Sequence, residues 1–509
     1  MRVGRVSWLL PVALLVACTA GPSERPAIVV NDGDPGPPAT TEAGPQPLPP
    51  LGEPKNQAVR WAQCGPEITD RLAKLAPPPA LKIDCGRVNG VLDSPYAPGR
   101  GTMRMQVLRV GSGPVPLVVV NDVDGLPSTL YAVKLAMTLS PDFLTKFSLV
   151  GLDRRGTGNS DAVRCVPEEV RAELVALDPR AGDVNAWVDL ARTAGQQCTL
   201  ALESRLPAID TWRTAADLES ARVALGMERL HAIGHGEGSR VLSVFAERYP
   251  NRVGRMVLDG VPDPNEDAAV TLAGVAEGAD ALFSAFAEDC ARRGCELGAD
   301  ARQALSEVLA AEPLATDDFD LTPGIVLRGV LAALPDRQAW PALSKAIADA
   351  RSGVPDALAA FAAPVVQETD ELPAMFDGTL VTRCNDTRGR LSTAQLEATA
   401  KDWNTRYPVF GGLTAQWLAL CSPWPVASHP VTQPHAMSAP PIVVLSTATD
   451  AVTPHAGTQH AAQQLASAVL VSWQGTGHGA LGVSPCATDT VYTFFSDGKI
   501  PRDGTVCPP

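Results

Sequence analysis

The chain has 509 residues, 45% of them hydrophobic, which is enough to bury the core of one large domain or of a domain carrying an insertion, and too much for a small module. Its formal net charge is −14 at neutral pH, and no run of Lys or Arg follows the first few residues, so nucleic acid is excluded as an expected partner.

In chain order, Arg2 and Arg5 precede an apolar run from Trp8 to Val16, too short to span a membrane and flanked as an export signal should be. The run ends in Leu15-Val16-Ala17-Cys18, which resembles a bacterial lipobox. That resemblance makes residues 1–18 the signal and Cys18 the lipidated first residue of the mature chain. An ordinary cleaved signal with an incidental Cys18 is the other reading. Both send the protein out of the cytoplasm, to the outer side of the cell membrane or beyond, with the N-terminal lipid as the only membrane contact. No later stretch reads as long and apolar enough for a transmembrane helix. Residues 19–54 mix Pro, Gly and Thr in a composition that cannot bury enough apolar area to fold, and read as a disordered tether.

Beyond Cys18 the cysteines are Cys64, Cys85, Cys165, Cys198, Cys290, Cys295, Cys384, Cys421, Cys486 and Cys507, an even set in an exported chain and at spacings that match no zinc pattern. Disulfides are therefore expected and metal ligation is not. Sequential pairing (Cys64–Cys85, Cys165–Cys198, Cys290–Cys295, Cys384–Cys421, Cys486–Cys507) is the simplest of the possible connectivities, which sequence alone does not fix.

Short apolar runs rich in β-branched residues occur at Val115–Val120, Lys146–Asp153, Arg229–Ile233, Val253–Leu258, Pro441–Ser446 and Ala468–Trp473, with amphipathic helical stretches between most of them. This alternation predicts an α/β fold with a mostly parallel sheet flanked by helices. Between Asp263 and about Pro440 it gives way to Ala/Leu-rich helical segments at 268–290, 301–311 and 324–334. The expected organisation is a core from 55 to 264, a helical cap from 265 to 440 inserted after the sixth strand, and the rest of the core from 441 to 509.

One segment carries most of the chemistry. Leu230 to Pro250 reads as strand, sharp turn and helix, the setting in which α/β-hydrolases display the serine of a G-x-S-x-G nucleophile elbow, and here the apex is Gly236. With this segment, Val150-Gly-Leu-Asp-Arg-Arg-Gly-Thr-Gly-Asn-Ser160, Asp217–Gly226, Val257–Pro264 and the ending Cys486 to Cys507 make the chain similar to the secreted or lipid-anchored tripeptidyl aminopeptidases, serine exopeptidases with a helical cap. The resemblance runs from about Cys64 to Cys507. It implies an acid after the seventh strand, at Asp450, and a histidine after the eighth, at His478. It also implies an oxyanion-binding loop after the third strand, where this chain has Asn121-Asp122-Val123-Asp124-Gly125, and a backbone N–H at Glu237 beside the apex.

Two departures follow. Gly236 has no hydroxyl, and deleting the nucleophile of a serine protease costs about 2 × 10⁶ in turnover. Asp122 and Asp124 put carboxylates where negative charge would develop, which opposes catalysis unless they turn away or are neutralised. Ser239, on the first turn of the helix, is expected to pack or bond backbone, and Glu237 to be solvated or salt-bridged at the helix N-terminus. Asp153, Arg154 and Arg155 are expected to tie loops by ion pairs, His235 to be a packed neighbour of the elbow, and His231, His455 and His460 to be surface or core residues. The reading is a ligand-binding protein that takes a peptide or small molecule in the cleft under the cap, without cofactor or metal. The alternative is an active peptidase or esterase with a non-standard nucleophile or a His478-activated water. A narrower possibility is an acidic pocket of Asp122, Asp124, Glu237 and His478 holding a cation or a ligand's amino group.

Overall fold

A computed structural model describes residues 47–95, 98–367, 375–426 and 433–509. The signal, Cys18 and the tether up to residue 46 lie outside the described residues. From residue 47 the chain has no regular structure at first, yet Leu48 and Leu51 already pack against the core, so the folded body starts upstream of residue 55.

Nine strands form one sheet: β1 (Ile83–Val91), β2 (Thr102–Val110), β3 (Val115–Val120), β4 (Phe147–Leu152), β5 (Leu230–His235), β6 (Val253–Asp259), β7 (Ile442–Thr449), β8 (Ala468–Thr476) and β9 (Thr505–Cys507). Their spatial order is β1-β2-β4-β3-β5-β6-β7-β8-β9. β1 pairs antiparallel with β2 and β2 antiparallel with β4, while every pairing from β4 through β9 is parallel. Alternate residues along each central strand serve opposite layers. On β3, Val118 and Val120 enter the cluster on one face, and Leu117 and Val119 that on the other. β3 to β6 are buried along their whole length, which is why they read as unbroken apolar runs. β1 and β2 alternate buried and exposed positions over part of their length, so neither reads as an unbroken apolar run.

Between β6 and β7 the chain builds most of a helical layer, whose core includes Leu282, Phe283, Phe286, Leu327, Trp340 and Leu380 and also takes Leu174, Val175, Ala194 and Cys198 from the helices Glu168–Ala176 and Val184–Leu202 that precede β5. Its first helix, Ala268–Arg293, corrects one expectation: by length and composition it is apolar enough to cross a membrane. Ala276, Ala279, Leu282, Phe283, Phe286 and Cys290 face the cap core, and left-handed Gly294 ends the helix. The cysteines pair as Cys64–Cys85, Cys165–Cys198, Cys290–Cys295, Cys384–Cys421 and Cys486–Cys507. Cys384–Cys421 ties cap helix Met375–Asp386 to cap helix Gly411–Cys421, two walls of the cleft described next.

Candidate active site

The segment 230–248 folds as strand, tight turn and helix. β5 ends at His235, the helix Glu237–Arg248 begins at once, and Gly236 joins them at φ 55° and ψ −124°. That backbone conformation is costly for any residue with a side chain and is the strained geometry of a nucleophile elbow. Gly234 and Gly238 let helix and sheet approach: a Cβ at Gly234 would meet the Ser239 backbone at 2.6 Å, and one at Gly238 would meet the backbone of Asn121 at 3.0 Å. Gly236 N donates to Asp259 O at 3.0 Å, which fixes the turn to β6.

The apex is filled from another element. Asn121 N donates to Ser128 Oγ at 2.9 Å and Asn121 Nδ2 to Leu126 O at 2.8 Å, closing the loop after β3. From this loop the Asp122 carboxylate reaches over Gly236, so that a Cβ built on Gly236 would lie inside it. Glu237 N donates to Asp122 Oδ1 at 2.6 Å, and His478 Nε2 lies 2.8 Å from Asp122 Oδ2. A carboxylate thus takes the backbone N–H beside the apex and the histidine's outer nitrogen together.

His478 stands in the turn after β8 and Asp450 in the turn after β7. His478 Nδ1 is 2.9 Å from Asp450 Oδ2. Asp450 is held by the N–H groups of Val452 and Thr453 at 2.7 and 3.0 Å and by Thr453 Oγ1 at 2.9 Å. Flanked by two carboxylates, both ring nitrogens carry protons. Burial works against the charged imidazolium, but Asp450 and Asp122 overcome it and raise the His478 pKa well above its ordinary value. Burial likewise pushes Asp122 up, and the charge and hydrogen bond of His478 outweigh it, bringing its pKa down to about 2. Asp450 is lowered in the same way against burial, by His478 and then by its backbone N–H donors.

His235 packs beside this chain of charges, its ring stacked on Tyr131 at 4.7 Å and tilted against His478 at 4.2 Å. Its Nδ1 lies 3.3 Å from Asp259, whose carboxylate also accepts from Ala480 N at 2.7 Å and so holds the His478 loop. Glu237 and Asp124 are salt-bridged, through a residue that sequence reasoning missed. Arg383 Nε is 3.1 Å from Glu237 Oε1 and Arg383 Nη2 is 2.8 Å from Asp124 Oδ2, while Trp417 stacks on the guanidinium at 4.7 Å. Arg154 Nη1 is 3.9 Å from Glu237 Oε2. Val123 and Gly125 keep to the loop, with Val123 O accepting from Thr379 Oγ1 of the cap at 3.3 Å.

Ser239 is buried against the elbow and its Oγ has no hydrogen-bond partner. Of the loop ion pairs expected after β4, Arg155 makes one, bidentate to Asp217 at 2.7 Å. Asp153 departs from that expectation: its oxygens accept the backbone N–H groups of Thr129, in the first turn of helix Ser128–Ala136, and of Asn159, in the loop after β4, at 2.9 and 3.0 Å. His231 accepts from Arg255 N at 2.9 Å, His455 meets Ser446 Oγ at 2.7 Å and His460 meets Asp263 at 2.7 Å.

Above the apex lies a cavity of about 450 Å³ that reaches from Asp122 and His478 into the cap. Asp122, Asp124 and Glu237 offer oxygens within 4.8 Å of one another, as do Asp122, His235 and His478 the atoms a metal would use. Arg383 and protonated His478 already supply positive charge to these groups, which leaves a poor fit for a further cation.

A sheet of this order, with the elbow after β5 and an Asp–His pair in the turns after β7 and β8, defines an α/β-hydrolase fold. The family model described as "TAP-like protein" matches residues 407–507. The chain is 28% identical over 494 residues to the serine protease Hip1 of Mycobacterium tuberculosis, covering 90% of this chain and 92% of that one. It is 26% identical over 389 residues to the tripeptidyl aminopeptidase of Streptomyces lividans, covering 71% of each. To carboxylesterase B of M. tuberculosis it is 27% identical over 411 residues, covering 74% of this chain and 78% of that protein. The chain resembles tripeptidyl aminopeptidase-like α/β-hydrolases over most of its length.

Proposed function

We propose that the protein is an exported, tripeptidyl aminopeptidase-like α/β-hydrolase homologue that has lost its serine nucleophile at position 236 and works by binding a peptide or small molecule in the cleft under the cap. One observation carries the reading: the Asp122 carboxylate sits on the elbow apex and accepts from Glu237 N–H and His478 Nε2. Acyl transfer needs a nucleophile, a basic histidine and a free oxyanion donor. Here the apex has no side chain, both histidine nitrogens are protonated, and the donor already holds an anion. Asp450 and His478 are relics of the triad, kept as a folded ion chain.

A carboxylate nucleophile is the second reading, favoured by the seat of Asp122 itself. Against it, both Asp122 oxygens are engaged and His478 has no lone pair to activate water. Serine-reactive fluorophosphonate labelling, followed by turnover of an Ala-Ala-Phe anilide and of p-nitrophenyl esters, separates the readings. The binding-only reading expects no adduct and no turnover above a His478→Ala control. A mapped adduct, or His478-dependent turnover, overturns it.

Export and anchoring through Cys18 are part of the proposal, supported by the signal-like N-terminus and by five disulfides of the kind that persist outside the cytoplasm. Membrane-fraction recovery that is lost in Cys18→Ala tests it. Unchanged partitioning of the variant would remove the lipid anchor.

A further inference from the structure

The cavity wall contains a buried guanidinium that has no counter-ion among the described residues. Arg328 lies on cap helix Pro323–Ala333, is 7% exposed and lines the cavity. Its Nη2 donates to Gln416 Oε1, and the Gln416 amide nitrogen, Nε2, donates to Leu174 O at 3.2 Å. Its Nε has no acceptor, and among the described residues no carboxylate pairs with it. Other buried arginines of this chain are matched: Arg155 with Asp217, Arg171 with Asp377 and Arg213 with Asp210. Arg255 spends its charge on the carbonyls of Phe494 and Phe495. Among the described residues nothing offsets the burial of Arg328, and burial draws its pKa down to about 10. Leaving a charge in this state is expensive, and the cost is recovered when an anion arrives.

We propose that Arg328 is the anchor for a ligand's carboxylate, and that the cleft takes monoanionic molecules with an apolar body. Leu272, Val275, Leu331, Leu413 and Trp417 line the same cavity and supply the apolar contact. A planar carboxylate suits a single guanidinium, which can bind it through two donors. A phosphate dianion is a poor match, because Asp122, Asp124 and Glu237 face the same space and Arg383 and His478 do not fully balance their charge, so a second negative charge is repelled. The inference rests on the proposed binding role of the cleft and adds the chemistry of its occupant.

The test is isothermal titration with two matched pairs: dodecanoate against dodecanol, and Ala-Ala-Phe with a free against an amidated C-terminus. Wild type should prefer the acid over its neutral partner by about tenfold or more in at least one pair, and which pair responds tells a fatty acid from a peptide terminus. Arg328→Gln should abolish the preference and Arg328→Lys should keep part of it. Thermal unfolding of Arg328→Met should be unchanged or raised, since the variant removes an unpaired charge; a residue kept for structure would show the opposite. Equal affinity for acid and neutral partner, or an Arg328→Gln variant that still discriminates, overturns the anchor while leaving cleft binding intact. Binding of none of the four probes also overturns it, and the labelling and turnover assays then judge the binding-only reading separately.

Discussion

Two residues exclude each other at the apex. A side chain at 236 and the Asp122 carboxylate compete for one volume, so Gly236→Ser alone should stay inactive in Ala-Ala-Phe anilide turnover and lose stability. Combining it with Asp122→Gly removes the clash, frees Glu237 N–H and returns His478 to ordinary basicity. That double variant should exceed wild type by at least about a hundredfold, and failure to do so would mean that the cleft has diverged beyond the triad. Protonation offers a second check. With its pKa raised by two carboxylates, His478 contributes stability that is fully present below about pH 6.5, its unfolded value, and is lost as pH rises through the raised folded value. Asp122 contributes in the other direction, present above 3.8 and lost as pH falls through about 2. Nitrogen NMR should therefore find His478 doubly protonated at pH 7.5 in wild type, and Asp122→Asn should lower its pKa. A neutral ring in wild type at that pH would contradict the ion chain.

At the level of elements, the site is assembled from the ends of several sheet strands and from cap helices, and their legibility differs for physical reasons. β3, β4, β5, β6, β7 and β8 announce themselves as apolar runs, and Gly236, Asp450 and His478 follow at fixed offsets from strand ends. Asp122 and Asp124 could be placed in the loop after β3, but the direction of the Asp122 side chain depends on a loop closure by Asn121 and Ser128 that no local pattern announces. Arg383 and Arg328 lie on cap helices far along the chain from the residues they face, and their sequence neighbourhoods look like ordinary amphipathic helix. Arg383→Ala tests the cap's hold on the elbow. It leaves Asp124 and Glu237 without their shared partner, so thermal stability should fall by about 1–3 kcal/mol. Added calcium should then raise the melting temperature of the variant and leave wild type unmoved, because only the variant has unpaired carboxylates to offer. Calcium stabilisation of wild type would show that Arg383 does not satisfy the acidic group.

For the whole molecule, the cap and the sheet have separate cores, and the cleft between them is shaped by how firmly the cap helices hold together. Cys384–Cys421 closes a loop of 37 residues beside Arg383 and Trp417. Replacing both cysteines by serine should cost about 3–4 kcal/mol by loop entropy and loosen ligand affinity more than it disturbs the sheet, readable as faster hydrogen exchange in the cap. Uniform loosening of cap and sheet would argue that they unfold as one unit.

The shared volume at the apex also sets an order of events. A chain with serine at 236 has no room for the Asp122 carboxylate over the elbow, and a chain with neither leaves His478 and the Glu237 amide without an acceptor. Single substitutions between a serine elbow and the present one therefore pass through a collision or a hole in either direction, so on the proposed reading positions 122 and 236 are expected to change together.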